Sequence, residues 1–115
     1  MKRPKDIEAN IYFLTTDEGG RHSGVFDGYR PQFYYDGYDW DAFHEYPDGR
    51  YVNPGETARV YLSFLRPHVH VGKVYEGMEF LIREGSRTVG KGQVVKIIDL
   101  LESAKKAESL RRKWS

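Results

Sequence analysis

Alternation of apolar residues with other residues marks three short segments of the chain. In residues 7–13, 59–65 and 78–82 an apolar side chain stands at every second position. This period predicts β-strands with one buried face, because successive side chains of a strand point to opposite sides of the sheet. We therefore expect three strands there.

Two further segments predict strands of another kind. Residues 93–98 are rich in Val and Ile, which is typical of a buried strand, and residues 29–35 form an aromatic run. Pro31 interrupts that run, and because proline donates no backbone hydrogen bond, we expect an edge or bulged strand. Turn residues separate all these segments, so the pattern predicts a small all-β barrel or sandwich.

An acidic stretch between these strands predicts a loop. Residues 36–49 carry no Lys or Arg and include both Gly37 and Pro47. The acidic side chains are Asp36, Asp39, Asp41, Glu45 and Asp48. A solvated acidic surface loop is the expected structure, and its carboxylates are then too well hydrated for hydrolytic catalysis.

The period changes to three or four residues at the C-terminal end, which predicts an amphipathic helix over residues 99–115. Asp99 stands where an N-cap is expected, and Glu102 stands where its capping-box partner is expected. The apolar stripe consists of Leu100, Ala104, Ala107, Leu110 or Arg111, and Trp114.

Composition and charge limit the classes of function. The 115 residues contain no Cys and carry a formal charge of +1, which excludes a disulfide framework and a thiolate zinc site and argues against a strongly basic nucleic-acid binder. Aromatic residues make up 15% of the chain, enough to build one core. No apolar stretch approaches the length of a membrane span, and residues 1–6 lead into no signal-peptide region, so we expect a cytoplasmic protein without membrane contact.

The motifs that would announce an enzyme are incomplete. Residues 85–92 fit a phosphate-binding loop except that Gly92 replaces the final Ser or Thr, and the segment that follows predicts a strand instead of a helix. His68 and His70 have the spacing of two metal ligands on a strand, but no third ligand is evident, and we expect solvated loop histidines. No enzymatic activity and no cofactor are therefore expected.

Two groups of basic residues are candidates for binding phosphate. The first lies in Gly-containing or aromatic segments and consists of Arg21, His22, Arg30, Arg83 and Arg87. These side chains form a phosphate-binding face if the fold brings them together. The alternative is that they pair with neighbouring acids, which are Asp17, Glu18, Asp27 and Glu84. The second group lies on the predicted helix, either as a basic patch or as a solvated face, and consists of Lys105, Lys106, Arg111, Arg112 and Lys113.

Several sequence blocks together resemble the third, C-terminal domain of elongation factor Tu. They are residues 17–22 (Asp-Glu-Gly-Gly-Arg-His), 28–34 (Gly-Tyr-Arg-Pro-Gln-Phe-Tyr), 82–85 (Ile-Arg-Glu-Gly) and 87–90 (Arg-Thr-Val-Gly). Residues 53–56 (Asn-Pro-Gly-Glu) resemble the Met-Pro-Gly-Asp turn of that family. The order and spacing of the blocks also match, so their combination is far more specific than any one of them.

The resemblance implies a six-stranded antiparallel β-barrel over residues 7–98. The helix that the periodicity predicts over residues 99–115 has no counterpart in that family and is an addition at the C-terminal end. In that family the barrel accompanies a GTPase domain and a second barrel, contacts the T-stem backbone of aminoacyl-tRNA, and meets elongation factor Ts. Neither partner domain is recognisable in these 115 residues. The resemblance therefore implies a module without GTPase activity of its own.

The resemblance also implies two sets of site residues. Positions at which the family touches the tRNA T-stem match Arg21, His22, Gln32, Glu84 and Gly85. Their side chains and turn N–H groups suit phosphate or 2′-hydroxyl recognition without base reading. Positions that face the GTPase domain match Gly19, Gln32 and Leu81.

Departures from the family pattern leave two functions open. A basic residue of the family is replaced by Asp27, and its second Gly after Arg-Glu-Gly is replaced by Ser86. Loss of positive charge weakens attraction to phosphate. The first hypothesis is binding of tRNA or other structured RNA. The alternative is a protein-interaction module that imitates elongation factor Tu and binds elongation factor Ts, a GTPase domain or another factor-binding protein; the retained motifs could also be purely structural.

Overall fold

The structure, a computed structural model, describes the backbone of residues 3–114 and the side chains of residues 3–113. Residues 1, 2 and 115 and the side chain of Trp114, which belongs to the predicted apolar stripe, lie outside the described residues. In chain order the strands and helices are β1 Ile7–Phe13, β2 Gln32–Tyr35, β3 Tyr38–Glu45, β4 Thr57–Phe64, α1 Pro67–His70, β5 Glu79–Glu84, β6 Arg87–Ile97 and α2 Leu100–Trp114. A 3₁₀ turn, Pro47–Gly49, follows β3.

The six strands form one closed antiparallel barrel in the order β1-β4-β3-β2-β5-β6, with β6 pairing back to β1. This confirms the predicted fold class of a six-stranded barrel with one C-terminal helix. The alternation in β1 has the predicted consequence, because its apolar positions all point into the barrel and are at most 3% exposed. They are Ile7, Ala9, Ile11 and Phe13.

The antiparallel order gives the barrel two different ends. Strands β1, β3 and β5 finish at one end, which is covered only by turns and which we call the loop end. Strands β4 and β6 finish at the opposite end and lead into α1 and α2, so we call it the helix end. The two helices pack against each other there.

The acidic loop predicted over residues 36–49 is wrong, because most of it is strand β3. Alternate positions of this segment still face the barrel: Ala42 and His44 are buried, whereas Asp39 and Asp41 are exposed. Asp36 and Gly37, with φ of 50° and 82°, form the two-residue hairpin turn between β2 and β3. Charge on the outward face concealed the strand pattern.

The predictions for β2 and β6 were also partly wrong. Strand β2 is not an edge, because it pairs with both β3 and β5, and it begins directly after Pro31. Strand β6 begins at Arg87, six residues earlier than predicted, and Gly92 lies within it. A Cβ at Gly92 would overlap the ring of Phe80, so glycine makes room there for a core aromatic side chain.

Helix α2 is present but begins differently from the prediction. The Asp99 carboxylate accepts a hydrogen bond from the Lys5 backbone N–H at 3.1 Å, and the Asp99 N–H donates to the Lys5 carbonyl. The Asp99 N–H is therefore not available to a Glu102 capping box. Leu100 and Ala104 are buried as the stripe predicts, but Leu110 is 59% exposed.

A buried carboxylate joins this helix to the barrel. Asp6, fully buried, accepts the Phe64 backbone N–H at 2.8 Å through Oδ2 and the Ser103 hydroxyl through Oδ1. Burial raises the pKa of Asp6, although both hydrogen bonds act in the opposite direction. The chain segments before β1 and after β6 are thus held together at the helix end.

The solvated loop predicted for His68 and His70 is wrong as well. Both residues lie in the single helical turn α1, and His70 is completely buried. Its Nδ1 lies 2.7 Å from the Tyr35 hydroxyl, and its ring packs on Phe64 with centroids 4.1 Å apart. Neither helix among the described residues is long and apolar enough to cross a membrane.

Candidate functional site

An ion-paired cluster occupies the loop end of the barrel. Arg21, in the loop after β1, pairs with Glu84 at the end of β5. The Tyr29 hydroxyl donates to the same carboxylate at 2.6 Å, and the Arg87 guanidinium lies 3.6 Å from its other oxygen. We call these four residues the Arg21 cluster. Two guanidinium groups share one carboxylate, so the cluster carries a net charge of +1.

Electrostatics within the Arg21 cluster favour the charged forms of Arg21 and Glu84 and the neutral form of Tyr29. Burial alone would raise the pKa of Glu84, but hydrogen bonds from Tyr29 and Arg21 and the charges of Arg21 and Arg87 lower it below its usual value. The pKa of Tyr29 is raised, first by burial and then by its hydrogen bond to Glu84. At neutral pH the cluster therefore consists of two cations, one carboxylate and one neutral phenol.

An amide and a turn N–H group extend the cluster. The side-chain oxygen of Gln32, Oε1, accepts a hydrogen bond of 3.0 Å from the Gly85 backbone N–H, which ties the start of β2 to the β5–β6 turn. The NH₂ group of Gln32 is then the part of the amide that remains for a ligand. His22 follows Arg21 in the loop and is exposed. Of the five predicted RNA-contacting residues, the structure connects Arg21 to Glu84 and Gln32 to Gly85 and leaves His22 open to solvent beside Arg21.

Two arginines of the predicted phosphate-binding group lie elsewhere. Arg83 packs over the Tyr34 ring and lies 3.8 Å from Asp39. Arg30 lies over the Phe43 ring, on the outer face of β3. Arg21 and Arg87 pair with Glu84, one of the acids that the ion-pairing alternative named, and Arg83 pairs with Asp39.

The residues matched to the GTPase-domain face lie in two places, on the outer faces of two strands and in a turn. Gln32 and Leu81 lie on the outer faces of the paired strands β2 and β5. Leu81 borders a groove of 350 Å³ that Tyr34, Tyr75 and Lys91 also line. Gly19 lies in the turn after β1, where its φ of 95° suits glycine. Helix α2 packs at the opposite end of the barrel from Gly19 and Gln32.

Asp27, which replaces a basic residue of the family, has a structural role. The Asp27 Oδ1 accepts the Tyr46 backbone N–H at 2.7 Å, and a Cβ on Gly49 would lie 3.9 Å from Oδ2. The carboxylate thus faces the turn after β3. Its presence is explained by the fold and does not by itself indicate a protein partner.

Tyr29 was missed as a functional residue because its role depends on a partner 55 residues away. The phosphate-binding loop considered for residues 85–92 does not form, since Lys91 lies inside strand β6 instead of at a helix N-terminus. Within the described part of the chain, no three His, Asp or Glu side chains come together as ligands for a metal ion.

The fold defines a closed six-stranded β-barrel module of the type found in translation factors. The family model of the elongation factor Tu C-terminal domain matches residues 1–98 of the 115-residue chain. The chain therefore belongs to the elongation factor Tu C-terminal domain family. The match is to the C-terminal domain and ends just before helix α2.

Proposed function

We propose that this chain is a non-catalytic binding module that binds tRNA or another structured RNA in the cytoplasm through the loop end of the barrel. Family membership supports a translation-factor-like domain. The observation that carries the proposal is the Arg21 cluster, in which Arg21 and Arg87 both meet one half-buried carboxylate beside the exposed His22. This arrangement leaves excess positive charge on an open surface.

The chemistry of the loop end suits an RNA backbone. Guanidinium groups bind phosphate, and the NH₂ group of Gln32 can donate to a phosphate or to a 2′-hydroxyl. Glu84 orients Arg21, and its carboxylate can itself accept a hydrogen bond from a 2′-hydroxyl. None of these contacts requires a particular base, so the site is suited to recognising backbone shape.

The proposal is tested by fluorescence anisotropy of labelled bulk tRNA titrated with the protein at about 50 and 200 mM salt. We expect affinity to fall as salt rises, because bound phosphates release counterions. Arg21→Ala should lower the affinity at low salt about tenfold and reduce the slope of log K against log salt by about one.

Arg59→Ala is the matched control. Arg59 is also an arginine in an ion pair, with Glu8, but it lies on the outer face of β4 away from the cluster. Thermal unfolding of each variant checks that the barrel is intact. The absence of binding by the wild type at low salt, or equal losses in the two variants, would refute RNA binding through this site.

A second candidate function is binding of elongation factor Ts or another protein that recognises elongation factor Tu. The groove beside Leu81 favours it, because Tyr75 is 61% exposed there and the lining combines rings with lysines. Failure of the RNA titration would make this the leading function. Isothermal titration with elongation factor Ts, with Leu81→Asp as the variant, then tests it.

A further inference from the structure

An exposed phenylalanine lies beside the Arg21 cluster. Phe26 is 64% exposed, although it sits in a short loop between polar and small residues. Its carbonyl accepts the Tyr29 N–H at 3.1 Å, so a tight turn holds its backbone. Tyr51, itself 50% exposed, lies alongside with ring centroids 6.4 Å apart and an interplanar angle of 22°. Most of the Phe26 side chain therefore remains open to solvent beside Tyr51.

Three hydrogen bonds tie together the two backbone segments under this ring pair. Val25 and Val52 exchange two backbone hydrogen bonds of 2.8 and 2.9 Å, and the Tyr51 hydroxyl accepts the Gly24 N–H at 2.8 Å. A Cβ at Gly24 would overlap both the Tyr51 ring and the Val52 carbonyl, so only glycine lets these segments meet. The backbone that carries Phe26 is therefore tied in place, which lowers the entropic cost of presenting its ring to a ligand.

The ring borders a shallow groove that also contains part of the Arg21 cluster. Its volume is 270 Å³, and its lining includes Phe26, Arg21 and Tyr29. This volume is slightly below the roughly 300 Å³ of the smallest usual ligand pockets, so the groove suits one small planar group. Asp27 also borders the groove, but its carboxylate is held by the Tyr46 N–H.

We propose that Phe26 stacks an unpaired nucleobase of the bound RNA while Arg21 contacts the adjoining phosphate. The inference rests on the proposed RNA binding and makes it more specific: the preferred ligand is RNA with a base free to leave the stack, as in a bulge, loop or single-stranded end. Every base has a π-face, and an aromatic ring beside a basic group is the usual platform for such a base.

The arrangement of charge supports a base instead of a second phosphate on the Phe26 side. Positive charge is concentrated on Arg21 and Arg87, whereas Phe26 is followed by Asp27. A phosphate over Phe26 would be repelled by the negative charge of Asp27, which borders the same groove, whereas an uncharged base would not be repelled. A phosphate on the Arg21 side followed by a base on the Phe26 side complements this polarity.

Two labelled RNA hairpins with the same stem test the inference by fluorescence anisotropy; each is closed by a non-nucleotide linker, so that neither has an unpaired base in its loop. One hairpin is blunt, and the other carries a short single-stranded purine extension. We expect the wild type to bind the extended hairpin at least about fivefold more tightly. Phe26→Ala should remove this preference, a loss of about 5- to 150-fold for the extended hairpin, and leave the blunt hairpin within about twofold. Phe26→Trp, which keeps an aromatic ring, should retain the preference.

Tyr38→Ala is the control, because Tyr38 is 68% exposed but lies at the start of β3, at the helix end. Equal binding of both hairpins by the wild type, or an unchanged preference in Phe26→Ala, would overturn the stacking inference and leave RNA binding itself standing. Binding of neither hairpin at low salt would instead overturn the proposed function and the inference with it.

Discussion

Two buried histidines should make the barrel less stable in mild acid. His44 and His70 are 2% and 0% exposed, and the Nδ1 of each lies within hydrogen-bond distance of a tyrosine hydroxyl. Among the described residues the Nε2 of neither ring has a partner. Burial lowers the pKa of His44 to about 3; burial, followed by the charges of Lys73, His68 and Arg66, lowers that of His70 to about 4.

The direction of the effect follows from proton binding. A histidine of the unfolded chain takes up a proton near pH 6.5, whereas both folded histidines remain neutral until the pH is far lower. The stability that these residues contribute is therefore complete above pH 6.5 and is lost as the pH falls, down to about 4 for His70 and about 3 for His44. At pH 5 each histidine should reduce the free energy of unfolding by about 2 kcal/mol, and the pair by about 4 kcal/mol.

Urea unfolding followed by circular dichroism between pH 8 and pH 5, at constant ionic strength, measures this loss. His44→Asn and His70→Asn should each remove about 2 kcal/mol of the pH-dependent decrease, whatever they do to stability at pH 8. Asp6, whose raised pKa acts in the opposite direction, is common to all variants and cancels in the comparison.

Trp40→Phe is the control for the histidine variants. The Trp40 ring packs edge-on against His70 with centroids 5.1 Å apart, so its replacement perturbs the same packing without removing a titratable group. This variant should keep the full pH dependence. Equal wild-type stability at pH 8 and pH 5, or an unchanged decrease in both histidine variants, would refute the assignment.

Two further predictions concern the joining of the chain ends and the packing of β6. Ser103→Ala should lower the free energy of unfolding, measured in the same urea assay, by about 1–3 kcal/mol, because a buried Asp6 oxygen loses its hydrogen-bond donor. Ser109 is exposed on the same helix, so Ser109→Ala should change the free energy of unfolding by no more than about 0.5 kcal/mol. Gly92→Ala should cost about 1–3 kcal/mol through overlap with the Phe80 ring. Phe80→Leu in the same chain should recover part of that loss; additive effects in this double-mutant cycle would show that the ring is not the cause.

Much of the fold could be predicted from the sequence because one face of most strands is regular. Strand β1 has an uninterrupted alternation, and helix α2 has an apolar stripe that includes Leu100 and Ala104. Strand β3 was missed because Asp39 and Asp41, which belong to its outer face, make the segment look like an acidic loop. The Asp36-Gly37 pair is a hairpin signal that could have identified it.

The candidate site could be predicted only in part. The resemblance supplied Arg21 and Glu84 as separate positions, but their ion pair depends on the barrel placing the loop after β1 beside the end of β5. The same holds for Phe26 and Tyr51, which lie 25 residues apart and meet because Val25 and Val52 pair. Convergence of distant segments depends on strand register, which no local pattern records.

Closure of the barrel by β1 and β6 constrains the order in which the chain can fold. Ile7 pairs with Ile97, so the first strand gains its second neighbour only when almost the whole barrel sequence is present. During synthesis β1 can pair with β4 but keeps one open edge, and open strand edges promote association between chains. Closing so long a loop also carries an entropic cost, so the β1–β6 pairing is expected to form late and to limit the folding rate.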